Sequence, residues 1–281
     1  MTPGGLITQF APQTGLVDLV SGPDGAFWSV GYYSLVRMTT NGVISNFPYP
    51  KGLYLTLIAS GPDGNLWFAA NEQIGDTSMY RTTIGRVTTS GVFTTLPDAL
   101  PSGAGIGEIA VGQDGNLWFT DCSLDRIGRI TPSGIVTEFS AGMTAKSCPR
   151  NIVAGPDGNL WFTEASLSSY LGTPPPYTPG GIANRNVIGR ITPAGVITEF
   201  GEETPYSAGL TAITLGPDGN LWFTEGSGNR VGRITPTGVI TEFKLTGLAD
   251  YAGLSSITTG PDKKLWFTEK NANKIGSFTP P

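Results

Sequence analysis

One segment constrains this chain more than any other. Gly216-Pro217-Asp218-Gly219-Asn220-Leu221-Trp222-Phe223-Thr224-Glu225 recurs, with variation, from Gly22, Gly61, Gly112, Gly155 and Gly260. The six copies lie 39, 51, 43, 61 and 44 residues apart, and the six tryptophans of the protein (Trp28, Trp67, Trp118, Trp161, Trp222 and Trp266) hold one shared place in them. A repeat of this period marks stacked supersecondary units, none of which can bury its apolar faces alone.

Each unit reads as four antiparallel strands. The apolar run Ala212–Leu215 predicts an innermost strand, followed by Pro-Asp-Gly, in which Pro presets φ, Asp bonds its own backbone and Gly accepts positive φ. The aromatic-rich Asn220–Thr224 predicts the second strand, Val231–Thr235 the third and Val239–Phe243 the fourth. Four strands per unit of this length are what a propeller blade requires, so the expectation is all-β: one six-bladed β-propeller domain over residues 1–281, with Trp and Phe filling the space between blades. The ends complement each other. Leu6–Phe10 reads as a fourth strand with no blade before it, and Lys274–Thr279 as a third strand with none after it. Pairing them closes the ring and removes two sheet edges. Counting outward from the turn sets Arg129 opposite Glu138, Arg190 opposite Glu199 and Arg233 opposite Glu242, with neutral Ser277 opposite Gln9 in the composite blade.

Composition narrows the chemistry. The sequence has no histidine, which removes Ser-His-Asp and Cys-His arrangements and every His-bearing metal site. A net charge of −5 argues against nucleic acid or anionic membrane as partners, and a monomer acting on a small molecule is expected. No apolar run is long enough to suggest a membrane span. Low charge and abundant Ser, Thr and Asn suit a secreted or periplasmic protein, although the N-terminus shows no basic-then-apolar signal pattern. Cys122 and Cys148 map to one face of the ring; a disulfide would imply an oxidising compartment, and two buried thiols are the alternative.

The repeated Gly-Pro-Asp-Gly-Asn-Leu-Trp-Phe-Thr-Glu, followed by Asn229–Thr235, resembles the streptogramin B (virginiamycin B) lyases over nearly the whole chain. The resemblance implies a propeller, seven-bladed in those lyases against six motifs in this chain. It also implies metal-assisted elimination that linearises a cyclic depsipeptide, using histidines near the start of innermost strands and nearby carboxylates. Thr211 and Ser255 stand at the last two blades' histidine positions, and Arg150 at the equivalent place in blade four.

In this topology the second-to-third and fourth-to-first connections share one mouth, the default ligand site. Second strands end there in Asp121, Glu164, Glu225 and Glu269, a set of carboxylates expected to bind Ca²⁺ or Mg²⁺, both of which prefer oxygen ligands. Glu225, Glu269, Arg150 and Lys270 are the candidate catalytic residues: the acids as bases, the cations to orient a carbonyl or anionic group. Glu108 and Asp18 face either the channel or the sheet, depending on register. The insert from Ala165 to Asn186, with Tyr170, Pro174–Pro176 and Tyr177, reads as a lid or binding loop, and Tyr54, Tyr206 and Tyr251 add phenols nearby. The reading is a lyase-like enzyme for a small or cyclic ester or lactone, metal-assisted and not a His-dependent streptogramin lyase. A calcium-dependent hydrolase of lactonase or phosphotriesterase type, or a non-catalytic binding propeller, is the alternative.

Overall fold

The structure, a computed structural model, describes residues 15–75, 77–96, 98–165, 185–203 and 209–281. The chain is an all-β six-bladed propeller of mostly four-stranded antiparallel blades. It falls into two compact units, Met1–Ser102 and Gly103–Pro281. The first unit holds two blades: β1 (Leu16–Ser21), β2 (Phe27–Gly31), β3 (Ser34–Met38) and β4 (Ile44–Pro48), then β5 (Leu53–Ser60), β6 (Leu66–Gln73), β7 (Tyr80–Val87) and β8 (Phe93–Leu96). The second unit holds four. Blade three is β9 (Ile106–Val111), β10 (Leu117–Asp121), β11 (Arg126–Ile130) and β12 (Val136–Phe139). Blade four is β13 (Pro149–Ala154), β14 (Leu160–Ala165), β15 (Arg185–Ile191) and β16 (Ile197–Glu203). Blade five is β17 (Leu210–Leu215), β18 (Leu221–Glu225), β19 (Arg230–Ile234) and β20 (Ile240–Lys244). Blade six shows three strands, β21 (Leu254–Thr259), β22 (Leu265–Glu269) and β23 (Lys274–Phe278). The expected N-terminal closing strand, Leu6–Phe10, lies outside the described residues.

The motif explains itself residue by residue. Tryptophans of successive blades pack on the sheet that follows them: Trp118 against Ile152, Leu160 and Phe162, Trp161 against Ile213, Leu221 and Phe223, Trp222 against Ile257, Leu265 and Phe267. An indole N–H in such a place needs an acceptor. The Asp four residues earlier supplies it in all six copies, from 2.9 Å in Trp28–Asp24 to 3.2 Å in Trp118–Asp114. The motif's first glycine is excluded from carrying a side chain, since a Cβ at Gly216 would meet Trp222 Cδ1 at 2.2 Å.

The third-to-fourth strand register departs from the sequence expectation by one residue. Gly128 faces Glu138 and Arg129 faces Thr137; Gly189 faces Glu199 and Gly232 faces Glu242 in the same way. The turn between Ile130 and Val136 is one residue tighter than counted, so the expected Arg129–Glu138, Arg190–Glu199 and Arg233–Glu242 oppositions are corrected. The arginines instead lie over their own blade's aromatics. Arg129 sits 5.7 Å from the Trp118 centroid and 5.5 Å from that of Phe139, and Arg190 does the same over Trp161 and Phe200. Arg129 also donates to the Pro193 carbonyl of the next blade at 2.9 Å. Glu138 pairs with Arg126 at 2.5 Å.

Candidate functional site

Every innermost strand of the second unit carries a β-bulge at the same level, where two residues oppose one. Gly107 and Glu108 lie opposite Thr120, Arg150 and Asn151 opposite Thr163, Thr211 and Ala212 opposite Thr224, and Ser255 and Ser256 opposite Thr268. The threonine hydroxyl accepts the amide of the second bulge residue each time: Glu108 N at 3.1 Å, Asn151 N at 3.3 Å, Ala212 N at 3.3 Å and Ser256 N at 3.0 Å. Two of these hydroxyls reach onward to the following blade, Thr120 to the Arg150 carbonyl at 2.5 Å and Thr224 to that of Ser255 at 3.4 Å. Bulges bend a strand and re-aim its side chains, and they favour functional sites.

Among the described residues, two cavities open at this level of the second unit. One, of about 610 Å³, is lined by Ser255, Thr268, Glu269, Lys270, Asn273, Lys274 and Ile275. The other, of about 480 Å³, is lined by residues that include Glu108, Ser123, Arg150, Asn151 and Thr211. The candidate catalytic residues are therefore divided. Glu269 and Lys270 share the first cavity, Arg150 lines the second, and Glu225 is not among the described lining residues of either.

The four second-strand acids are all buried, each within its own blade. Among the described residues, no group of three or more Asp, Glu or Cys side chains is placed to hold a metal ion. Asp121 accepts the amides of Gly105, Ser123 and Leu124 at 2.9–3.1 Å and so fixes the β10–β11 turn. Glu164, one residue before the end of β14, lies opposite Pro149. Glu225 lies 3.9 Å from Arg230, which in turn lies 3.5 Å from Glu242. Burial, then the neighbouring Glu242 carboxylate, push Glu225 up to about 7 against the pull of Arg230.

Asp18 and Glu108, whose direction the sequence left open, both brace neighbouring inner strands. Asp18 accepts the Ile58 amide at 2.9 Å, and Glu108 the Asn151 side-chain amide at 3.0 Å. Sequence reasoning missed Asn151, whose Oδ1 also takes the Ile213 amide at 2.8 Å, as well as Ser123, Asn273 and Lys274. It also missed the threonines, although Trp-Phe-Thr in blades three to six was a visible signal. The insert expected to form a lid falls outside the described residues from 166 to 184, as does Tyr206. Tyr54 packs edge-on against Tyr80 at 5.9 Å, and Tyr251 is exposed.

Comparison with known proteins decides the family. The model of the virginiamycin B lyase family matches residues 72–170 and 182–281. The chain belongs to the virginiamycin B lyase family. A catalytically inactive histidine-to-alanine variant of virginiamycin B lyase from Staphylococcus aureus, solved with quinupristin, is 34% identical with a TM-score of 0.75, over 95% of this chain and 81% of that one. A streptogramin B lyase structure is 30% identical with a TM-score of 0.72, over 96% and 85% of the two chains. Hydrazine synthase of Kuenenia stuttgartiensis, 15% identical with a TM-score of 0.69, shares the fold alone. No curated protein sequence matches the chain. These relatives correct the expectation that set the chain apart as a metal-assisted lyase or hydrolase. The family is the one the repeated motif resembles, and its solved relatives include a lyase inactivated by replacement of one histidine, against the expectation of a mechanism set apart from the His-dependent lyases.

Proposed function

We propose that this protein is a lyase of the virginiamycin B type that opens a cyclic, antibiotic-like ester in the cavity of Glu269 and Lys270. The observation that carries the proposal is its 34% identity, over 95% of the chain, with a lyase solved with quinupristin. Elimination removes a proton from the carbon next to the ester-bearing carbon. The electron pair becomes a C=C bond, the C–O bond breaks, and a carboxylate leaves. Glu269 is the carboxylate among the described lining residues of that cavity, and in this reading it receives the proton. Lys270 and Lys274 set two ammonium groups at the same cavity, where charge develops on the departing carboxylate. Ser255, at the bulge, supplies a hydroxyl to orient the ester.

Mg²⁺ or Ca²⁺ enters only as an addition to be measured. The test is incubation with quinupristin, with and without each ion, followed by mass spectrometry. Elimination gives a linear product of unchanged mass carrying a new double bond, whereas hydrolysis adds one water. Glu269→Gln should reduce turnover at least about a hundredfold, within the usual range for a lost general base. Binding without any linear product would leave a binding propeller, and neither binding nor product would reject the reading. An oxidising, extracytoplasmic location is part of the proposal, supported by the Cys122–Cys148 disulfide.

A further inference from the structure

The cavity beside Arg150 has no part in the elimination described above, yet it is the more elaborately built of the two. Glu108 and Arg150 bring opposite charges to one space of about 480 Å³. A simple anion would meet the Glu108 carboxylate, and a simple cation the Arg150 guanidinium. A ligand offering an acceptor and a donor along one edge can address both, and a residue of an extended peptide does so, because its own N–H and C=O point to the same side.

The walls are fixed from three directions. Asn151 donates to Glu108 at 3.0 Å and accepts the Ile213 amide at 2.8 Å, tying β9, β13 and β17 together. Thr120 takes the Glu108 amide at 3.1 Å and donates to the Arg150 carbonyl at 2.5 Å, so one hydroxyl sets the backbone of both charged residues. The Cys122–Cys148 disulfide ties the loop bearing Ser123 to the start of the strand bearing Arg150. Close packing leaves no room for side chains at two lining glycines: a Cβ at Gly107 would come within 2.9 Å of the Arg150 carbonyl and the Thr120 hydroxyl, and one at Gly105 within 2.2 Å of Ser123 Oγ. A rigid, polar recess is suited to reading a ligand's main chain, because little ordering is required on binding.

We propose that this cavity is a second ligand subsite that holds an amide segment of a cyclic peptide, away from the bond that breaks. Arg150 donates to a ligand carbonyl, and Glu108 accepts from a ligand N–H. The inference rests on the proposed substrate class, and it assigns recognition to one cavity and chemistry to the other.

The experiment is calorimetric titration of quinupristin into Glu269→Gln protein, alone and combined with Arg150→Met, Arg150→Lys or Glu108→Gln, with melting curves to confirm folding. Arg150→Met and Glu108→Gln should each weaken binding about tenfold or more, the scale of one lost charge-assisted hydrogen bond. Arg150→Lys should recover part of the loss. On the otherwise unaltered protein, Arg150→Met should act through KM, whereas Glu269→Gln acts through kcat. Unchanged affinity in folded Arg150→Met and Glu108→Gln proteins overturns the subsite. If the parent does not bind quinupristin, the substrate reading fails and the subsite is judged separately. The probe is then N-acetyl-alanyl-alanine methylamide at millimolar concentration, followed by amide NMR. Shifts at Gly105, Gly107 and Ser123 that vanish in Arg150→Met sustain it; absent shifts, or shifts indifferent to Arg150, reject it.

Discussion

The indole N–H of Trp222 donates to the carboxylate of Asp218, four residues earlier, at 2.9 Å. The same carboxylate takes the amide and side-chain N–H of Asn220, so one acid closes the hairpin and satisfies a fully buried tryptophan. Replacing Asp218 with Ala leaves the indole without its acceptor in the core. The expected cost is about 1–3 kcal/mol, a fall of a few degrees in Tm by calorimetry, while Asp218→Asn keeps an acceptor and costs less. Burial raises the carboxyl pKa, but the Asn220 and Trp222 hydrogen bonds outweigh it and hold the group below 3.8. A depressed pKa gives stability that is present above the unfolded value and lost as pH falls through the folded one. The Asp218→Ala deficit should therefore shrink below about pH 4.

How much of this was legible follows from which forces are local. The motif's glycine, aspartate and tryptophan interact within seven residues, so their spacing announced blade, hairpin and core together. The pairing of Arg129 depended on a turn whose tightness composition does not show, and a slip of one residue exchanged Glu138 for Thr137 as its partner. The second-strand acids were placed correctly along their strands. Their separation was not legible, because it depends on where Glu225 meets Arg230 and Glu242 within its own blade, a tertiary matter. The bulges were hidden for a similar reason: Thr211-Ala212 and Arg150-Asn151 share no residue type, only a common partner threonine.

Glu225 carries a pH signature opposite to that of Asp218. Its pKa rises from 4.5 to about 7, so the folded state holds the proton longer than the unfolded state does. Stability should fall as pH climbs from about 4.5 to 7, and then level off. Glu225→Gln mimics the protonated form. It should melt above the parent at pH 8 by an amount on the order of 1–3 kcal/mol, with the difference closing toward pH 4.5. A parallel offset at all pH values would contradict the assignment.

Cys122 and Cys148 are bridged across 26 residues of sequence, joining the loop after β10 to the residue before β13. Thiol titration of unfolded, unreduced protein should find none free. Cys122→Ser with Cys148→Ser should lose about 2–4 kcal/mol in denaturant unfolding, the range for a loop of this size. Ser123 and Arg150 flank the bridge, so mild reduction should weaken ligand binding more than it lowers turnover at saturating substrate.

Thr224 tests whether the bulges are held or merely tolerated. Its hydroxyl is fully buried and accepts the Ala212 amide at 3.3 Å, exchanges a hydrogen bond with Thr211 Oγ1 at 2.7 Å, and reaches the Ser255 carbonyl at 3.4 Å. Thr224→Val keeps the shape and removes every one of these bonds, leaving a buried amide unpaired at a cost of about 1–3 kcal/mol. Thr224→Ser keeps the hydroxyl and should cost less, through a lost methyl group. Stability alone would not separate a local defect from a loosened site, so the deciding measurement is amide hydrogen exchange. In Thr224→Val the Ala212 amide should exchange faster, and the loss of protection should spread to the Ser255 bulge of blade six. Thr224→Ser should hold both at the parent rate. If exchange quickens at Ala212 and nowhere in blade six, the hydroxyl serves its own blade only, and the link from β18 to the wall of the Glu269 cavity is absent.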